Sequence, residues 1–139
     1  NINSFLKSMS KKNPEVSVKI VFKCGSKVLY QKSNHLRDIP GGHIEFGETI
    51  LEALKRELKE ELGYELKIEP NLLYAWSYVS RSKNTHGVYV VYIINLKKEI
   101  KFSSLEDPFL EFIWLDKSEI KIQNFLPEME KFLLMAAES

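Results

Sequence analysis

A run of acidic residues between positions 42 and 64 carries the clearest chemical signal in this chain. The segment reads GHIEFGETILEALKRELKEELGY. On a helix, residues three and four positions apart lie on the same face, so Glu57, Glu60 and Glu61 would project from one side. Clustered carboxylate oxygens suit Mg²⁺ or Mn²⁺, which keep part of their water shell and bridge to phosphate groups. The spacing therefore predicts a metal site that faces a phosphate chain.

The surrounding residues favour a built site over an ordinary solvated helix. A charged amphipathic helix with one face in water is the alternative interpretation. It does not explain the proline and paired glycines at residues 40–42, the acid at Glu48, or the position of Arg56 beside the cluster. The acidic face should also lie where the helix meets the body of the protein, because four leucines at helical spacing must be buried: Leu51, Leu54, Leu58 and Leu62.

Together these positions resemble the Nudix box. The pattern is Gly42, five residues, Glu48, seven residues, Arg56-Glu57-Leu58, one residue, Glu60-Glu61, one residue, Gly63 and then Tyr64. Only Tyr64 departs from the box, because the family usually has an aliphatic residue there. The resemblance implies a Nudix-like α/β/α sandwich with a mixed β-sheet. It also implies metal-dependent hydrolysis of a diphosphate linkage in a nucleoside diphosphate derivative or a (deoxy)nucleoside triphosphate.

The resemblance assigns roles within the box. Metal would be held by Glu57, Glu60 and Glu61, together with a backbone carbonyl from the glycine turn, which falls on Gly41. Arg56 keeps its proton and is expected to pair with Glu48, which would fix the loop against the helix. The alternative for Arg56 is an exposed pair with Glu52 or Glu60 on the same helix.

The general base that activates water stays open between two groups of glutamates. Within the box, Glu57 and Glu60 are candidates; outside it, the candidates are Glu99, Glu106 and Glu111. Glu106 is preferred among the distal residues, because its predicted loop can carry a carboxylate over the site. A metal-bound Glu57 would be a weak base with a lowered pKa.

Substrate recognition is predicted from one strand and one loop. Tyr74, Trp76 and Tyr78 alternate along one face of a strand and could stack a nucleobase, although burial against a helix is the simpler interpretation. Arg37 lies three residues before Pro40 and is a candidate phosphate contact, with a solvated loop arginine as the alternative.

The remaining sequence predicts the elements that position the box. Strands over residues 16–23 and 27–32 would form a hairpin, and the box helix would begin after Thr49 and end at Gly63. Long strands are predicted over 65–80 and 87–98, a further strand over 109–115, and a closing helix over 126–137. This order predicts one α/β domain over residues 1–139.

Composition limits the classes of partner. The 20 Lys and Arg residues nearly balance 19 Asp and Glu residues, for a net charge of +1, so no general basic field for nucleic acid is present. No apolar run approaches the roughly 18 residues of a membrane span, and the first ten residues lack a signal-peptide core. The single Cys24 fits a reducing compartment. We therefore expect a cytoplasmic protein that binds a small nucleotide and neither nucleic acid nor membrane, and leave a homodimer open.

Two functional classes follow from this sequence. The first is a pyrophosphohydrolase that requires Mg²⁺ or Mn²⁺. The second is a catalytically weak Nudix-like module that binds or senses a nucleotide without turnover. The intact acidic set favours the enzyme, because a pure binder has no need of mutually repelling carboxylates.

Overall fold

A seven-stranded mixed sheet forms the centre of the computed structural model, which describes residues 2–3, 12–34 and 36–139. The strands are β1 (Glu15–Cys24), β2 (Lys27–Ser33), β3 (Leu36–Asp38), β4 (Gly41–His43), β5 (Asn71–Ser80), β6 (Thr85–Asn95) and β7 (Glu111–Leu115). The main helices are α1 (Ile50–Leu62), α2 (Lys117–Ile120) and α3 (Pro127–Glu138), and a 3₁₀ turn covers Lys121–Gln123. No helix within these described ranges has the length and apolar character needed to cross a membrane.

The sheet is mixed because its two central strands run parallel. Its order is β3-β2-β1-β6-β5, with β4 also paired to β1 and β7 also paired to β2. The parallel pairing of β1 with β6 extends from Glu15 opposite Gly87 to Lys23 opposite Asn95, whereas the other pairs are antiparallel. β1 therefore lies next to both the glycine turn and the long β5–β6 hairpin.

Helices cover both faces of the sheet, as the predicted α/β/α sandwich requires. Strand residues point alternately to opposite faces, so Val18, Ile20 and Phe22 of β1 pack with the buried residues of α1. Val21, on the other face of β1, belongs to a second cluster that contains Phe132 and other residues of α3. The two helical layers thus lie on opposite sides of one strand.

The box helix has the ends that the sequence predicts. Thr49 Oγ1 accepts a hydrogen bond from the Glu52 N–H at 3.1 Å, which caps the helix start. Gly63 has a left-handed φ of 65°, and the N–H groups of Gly63 and Tyr64 donate to the carbonyls of Lys59 and Leu58 at 3.0 and 3.2 Å. The bond from Gly63 to Lys59, made by a residue in the left-handed conformation, is the αL motif that ends many helices at glycine.

Tyr64, the one departure from the box pattern, has a packing role. Its ring lies 5.1 Å from that of Phe22 and 5.9 Å from that of Phe102, centroid to centroid, with edge-to-face geometry in both pairs. The aromatic side chain therefore fills the core beneath α1, where an aliphatic residue would serve in the usual box.

Several element boundaries differ from the predictions. The strand predicted over 65–80 begins only at Asn71, because Pro70 lacks an N–H for the ladder and the preceding segment instead buries Leu66 beneath α1. The second long strand ends at Asn95 rather than residue 98. The strand predicted from residue 109 begins at Glu111, because the Phe109 N–H donates to Asp107 Oδ1 within a turn. The short strands β3 and β4 and the short helix α2 were not predicted.

We expect truncation of the apolar face of α1 to destabilise the fold strongly. Leu58 is fully buried, so Leu58→Ala should lower the free energy of unfolding by about 2–5 kcal/mol. Leu72 is 64% exposed, and the same substitution there should change this energy by less than about 0.5 kcal/mol. Urea denaturation of both variants checks the prediction, and equal losses would contradict the packing described for α1.

Candidate active site

Arg56 is the hydrogen-bonding centre of the box. Its Nε and Nη2 atoms donate to the two carboxylate oxygens of Glu48 at 2.7 and 2.9 Å, in the bidentate geometry that favours arginine. Nη2 also donates to the His43 carbonyl at 3.0 Å. Nη1 donates to Glu57 at 2.9 Å and to Glu60 at 3.3 Å. The predicted Arg56–Glu48 pair is therefore present, and all five N–H groups of the guanidinium have acceptors.

These contacts attach the loop before α1 to the helix. The hydrogen bond from Arg56 and a second one from the Glu45 N–H, 2.9 Å long, hold the pKa of the Glu48 carboxyl below its usual value. In turn, hydrogen bonds to Glu48 and Glu57 raise the pKa of Arg56 further above its usual value. Both groups therefore stay charged, and the pair fixes the loop by charge-assisted bonds.

The two glycines of the turn are required for different reasons. Gly41 has a φ of 138°, and a Cβ there would overlap the Val18 carbonyl and the backbone of Lys19 in β1. A Cβ on Gly42 would instead overlap the Glu57 carboxylate. Gly41 therefore permits the backbone conformation beside β1, whereas Gly42 leaves room for an acidic side chain of the box.

Glu61 is the partly buried carboxylate of the cluster that contacts the glycine turn. Its Oε2 accepts a hydrogen bond from the Gly41 N–H at 3.3 Å. Burial raises the pKa of Glu61 to about 7, although this hydrogen bond and the positive charge of Lys19 act in the opposite direction. The negative charges of Glu57 and Glu106 add to the rise. A cation bound beside Glu61 would favour its charged form.

Of the three distal candidates for the base, the structure brings Glu106 to the box. The adjacent Leu105 N–H donates to the Glu61 carbonyl at 2.7 Å, which attaches this loop to the end of α1. Glu99 instead lies 3.6 Å from Lys27 beside the β1–β2 turn. Glu111 pairs with β2 and lies on the sheet face covered by α3, away from α1.

The predicted metal ligands lie close together but do not converge. Within the described ranges, no three His, Cys, Asp or Glu side chains are arranged to hold a metal ion. Arg56 contacts Glu57 and Glu60, whereas Glu61 points to the Gly41 N–H. The donors still fit Mg²⁺ or Mn²⁺, because all are hard oxygens and the Glu60 side chain is 51% exposed with only a 3.3 Å contact to Arg56. Cation binding would require Glu57 and Glu60 to exchange contacts with Arg56.

A cleft of about 590 Å³ opens on the other side of the glycine turn, between the sheet and the start of α3. Its apolar wall includes the stacked rings of Trp76 and Tyr89, whose centroids lie 4.5 Å apart at 15°. Gly42 and His43 of β4 also line it, so the cleft meets the box at this strand. The polar lining residues are Ser17, Lys19, Arg37, Asp38, His43 and Glu128.

Three of the four predicted substrate-binding residues line this cleft. They are Arg37, Trp76 and Tyr78. Tyr74 lies on the same strand face but not in the cleft lining, because its hydroxyl donates to Glu128 at 2.6 Å and its ring centroid lies 6.3 Å from that of Phe132. Burial against a helix is therefore the better description of Tyr74.

Sequence reasoning missed Lys19, Asp38, Tyr89 and Glu128, all of which line the cleft. Tyr89 pairs with Trp76 across β5 and β6, so strand alternation could have indicated it. Lys19 is one of two lysines in a largely apolar strand, the other being Lys23, which is a weak signal of a functional side chain. Glu128 looked like an ordinary acid in the first turn of a helix, so nothing in the sequence marked it.

The turn glycines should respond differently to alanine. Gly41→Ala adds backbone overlap to an unfavourable φ, which alone costs about 1–3 kcal/mol of unfolding free energy. Gly42→Ala meets only the end of a flexible glutamate, so its cost should stay near the usual value of about 1 kcal/mol. Chemical denaturation measures both energies, and a greater loss in Gly42→Ala would contradict the geometry of the turn.

Comparison with known proteins agrees with this geometry. The family model described as NUDIX domain matches residues 11–135. The ADP-ribose pyrophosphatase of Methanocaldococcus jannaschii is 34% identical over 89 residues, which cover 60% of this chain and 52% of that protein. The nucleoside triphosphatase NudI of Escherichia coli is 30% identical over 91 residues, which cover 59% of this chain and 62% of NudI. The chain thus spans only about half to three fifths of these curated relatives.

Solved structures share the fold at lower identity. The MutT NUDIX hydrolase from Burkholderia pseudomallei gives a TM-score of 0.72 at 21% identity, covering 90% of this chain and 98% of that one. The NUDIX domain of Shewanella oneidensis NrtR, complexed with ADP ribose, gives a TM-score of 0.70 at 20% identity. The match covers 99% of this chain and 97% of the NrtR chain. Because the family model spans most of the sequence and the box residues form one connected site beside a cleft, this chain belongs to the Nudix family.

Proposed function

We propose that this chain is a metal-dependent hydrolase that splits a diphosphate linkage in a nucleoside diphosphate derivative or a nucleoside triphosphate, by attack of water on phosphorus. The observation that carries the proposal is the position of β4 between two sites. Gly42 borders the Glu57 carboxylate and also lines the aromatic cleft. A nucleotide bound in the cleft would therefore bring its phosphates to the acidic end of the box.

Two relatives support the choice of substrate class. One is named as an ADP-ribose pyrophosphatase and another as a nucleoside triphosphatase, and both substrates contain a nucleoside joined to a phosphoanhydride. The NrtR domain with a similar fold was solved with ADP ribose bound. We therefore infer a small nucleotide as the partner, and the near-neutral charge of the chain agrees with a local phosphate site rather than a nucleic-acid surface.

The proposed metal ligands are Glu57, Glu60, Glu61 and the Gly41 carbonyl. A bound Mg²⁺ or Mn²⁺ would neutralise charge on the phosphate oxygens and lower the pKa of a bound water. Arg56 contributes by holding the box carboxylates and the loop before α1 in one arrangement. Its fixed positive charge also offsets the repulsion among acids that share a helix face.

Glu106 is our candidate for the residue that takes the proton from the attacking water. Its loop is attached to Glu61 through the Leu105 N–H, and its charge acts on the Glu61 carboxyl. Glu57 and Glu60 remain the alternatives within the box. The mechanism needs only one carboxylate that is both close to the water and not committed to metal.

The aromatic wall of the cleft would bind the nucleoside. Trp76 and Tyr89 provide ring surfaces on one side. The ring centroid of Tyr78 lies 5.9 Å from that of Tyr89, towards the exposed end of the strand. Arg37 supplies positive charge within the same cleft, whereas the ammonium group of Lys19 is paired with Asp38. Stacking on such a surface tolerates different bases, so this wall does not by itself select one nucleotide.

A catalytically weak nucleotide-binding module is the second candidate, and one observation favours it. Arg56 contacts two of the three glutamates proposed as metal ligands, and no three acids converge within the described ranges. If Arg56 kept these contacts after a nucleotide bound, the chain would bind without turnover. The two candidates therefore differ in whether a divalent cation displaces Arg56 from Glu57 and Glu60.

A nucleotide panel separates the two candidates. ADP-ribose and nucleoside triphosphates are incubated with the protein in Mg²⁺, in Mn²⁺ and in excess chelator, and the products are resolved by ³¹P NMR. The enzyme proposal predicts nucleoside monophosphate together with a phosphorylated remainder or pyrophosphate, only when metal is present. Binding of nucleotides without any product would support the second candidate, and turnover in chelator would contradict the metal requirement.

We predict that Glu60→Gln lowers kcat by at least about a hundredfold, as loss of a metal-dependent transition-state contact should. The fold should be unchanged, because this side chain is half exposed. Glu52→Gln provides a matched control, since Glu52 is an exposed acid on the same helix but outside the cluster. Steady-state kinetics and circular dichroism check both variants. Near-normal turnover in Glu60→Gln would exclude the metal role of Glu60.

The pH profile should identify the general base. If Glu106 takes the proton, Glu106→Gln should lower kcat/KM and flatten the acidic limb of its pH dependence, because the base must be deprotonated to act. If the base is in the box, Glu57→Gln should have this effect instead. Mn²⁺ affinity is measured in each variant to separate loss of base from loss of metal.

Glu99→Gln is the control for this comparison, since Glu99 pairs with Lys27 away from the box. Its profile should match that of the parent protein. An unchanged rate and pH profile in Glu106→Gln would remove Glu106 from the mechanism.

A further inference from the structure

Lys19 lies in the middle of β1, where the cleft meets the box. Its backbone pairs with Gly41 of β4 on one side and Val91 of β6 on the other. Its side chain lines the cleft and is only 13% exposed. A buried ammonium group needs hydrogen-bonded partners, because its desolvation is costly. Lys19 Nζ donates to Asp38 Oδ2 at 3.0 Å and to the Ile39 carbonyl at 3.5 Å.

Asp38 connects Lys19 to the glycine turn. Its other oxygen, Oδ1, accepts a hydrogen bond from the Ile39 N–H at 2.7 Å. One residue further on, the Pro40 carbonyl accepts from the Ile20 N–H of β1 at 3.0 Å. The turn is therefore attached to β1 in two ways: by the side-chain bond between Lys19 and Asp38, and by the backbone bond between Ile20 and Pro40.

Gly41 is the point at which this turn reaches the box helix. Its φ of 138° is unfavourable for other residues, and its N–H donates to Glu61 Oε2 at 3.3 Å. A shift of the turn would move both this N–H and the neighbouring carbonyl relative to Glu61. The Lys19–Asp38 pair thus supports the turn next to two groups that the proposed function assigns to the metal, the Gly41 carbonyl and the Glu61 carboxylate.

We infer that Lys19 is a positioning residue for the metal site: together with Asp38 it holds the turn at residues 38–41 so that Gly41 and Glu61 stay in place for a divalent cation. The inference rests on the proposed function for the role of Gly41 and Glu61. Residues that orient metal ligands in this indirect way typically change metal affinity about 10–100-fold when replaced.

The sign of the effect distinguishes positioning from simple electrostatics. Lys19 carries a positive charge that acts on Glu61, so by charge alone its removal would strengthen the binding of a cation. Loss of positioning has the opposite effect and weakens binding. Lys19→Met is therefore the decisive variant, whereas Asp38→Asn would weaken binding under either explanation.

The test is a double-mutant cycle on Mn²⁺ affinity, measured by electron paramagnetic resonance without nucleotide. Lys19→Met and Asp38→Asn should each raise the Kd for Mn²⁺ about tenfold. The double variant should be no weaker than the weaker single one, because both substitutions break the same pair. Lys27→Met is the control, since Lys27 lies near the far end of the same hairpin and forms an exposed pair with Glu99 at 3.6 Å. Its Kd should stay within about twofold of the parent value.

Tighter or unchanged Mn²⁺ binding in Lys19→Met would overturn the inference, and so would additive losses in the double variant. If Lys19→Met does not fold by circular dichroism, an unchanged Kd in Asp38→Asn overturns the inference instead. Kinetics add a second readout: positioning predicts a loss in kcat with little change in the KM for nucleotide, whereas direct contact with substrate predicts a rise in KM. Because Mn²⁺ binding is measured without nucleotide, absence of hydrolysis in the parent protein would contradict the proposed function and leave this test intact.

Discussion

The bidentate pair between Arg56 and Glu48 is the interaction on which the rest of the site depends. Three acids on one helix face repel one another, and the guanidinium offsets this repulsion by contacting Glu57 and Glu60. The same group holds the loop before α1 through Glu48 and the His43 carbonyl. Arg56 therefore sets both the charge balance of the box and the position of the strand beside it, while it keeps the carboxylates from converging.

The glycine turn joins two sites that lie on different faces of the sheet. α1 packs on one face of β1, and the cleft with its aromatic wall opens on the other. β4 pairs with β1 at this point, so Gly41 reaches Glu61 while Gly42 borders both Glu57 and the cleft. Side chains at either glycine would fill the space that these contacts need. Lys19 and Asp38 support the turn from the cleft side.

The sequence was most informative where local rules decide the structure. Helical spacing, the Thr49 cap and the Gly63 stop defined α1, and charge pairing indicated the bond between Arg56 and Glu48. It was least informative where contacts between segments distant in sequence decide the structure. β3 and β4 are three residues each and exist only through pairing with β2 and β1. Lys19 likewise acquires its partner Asp38 only in the folded sheet, so spacing along the chain could not reveal it.

We propose that a divalent cation and a nucleotide share one site across β4. Linkage then requires each to increase the affinity of the other. The most direct measurement is calorimetric titration of a methylene-bridged, non-hydrolysable nucleoside diphosphate with and without Mg²⁺, in the parent protein and in Glu57→Gln. We expect Mg²⁺ to tighten binding of the analogue in the parent protein, and most of this gain to be lost in the variant. Equal affinity with and without Mg²⁺ in the parent protein would contradict this proposal.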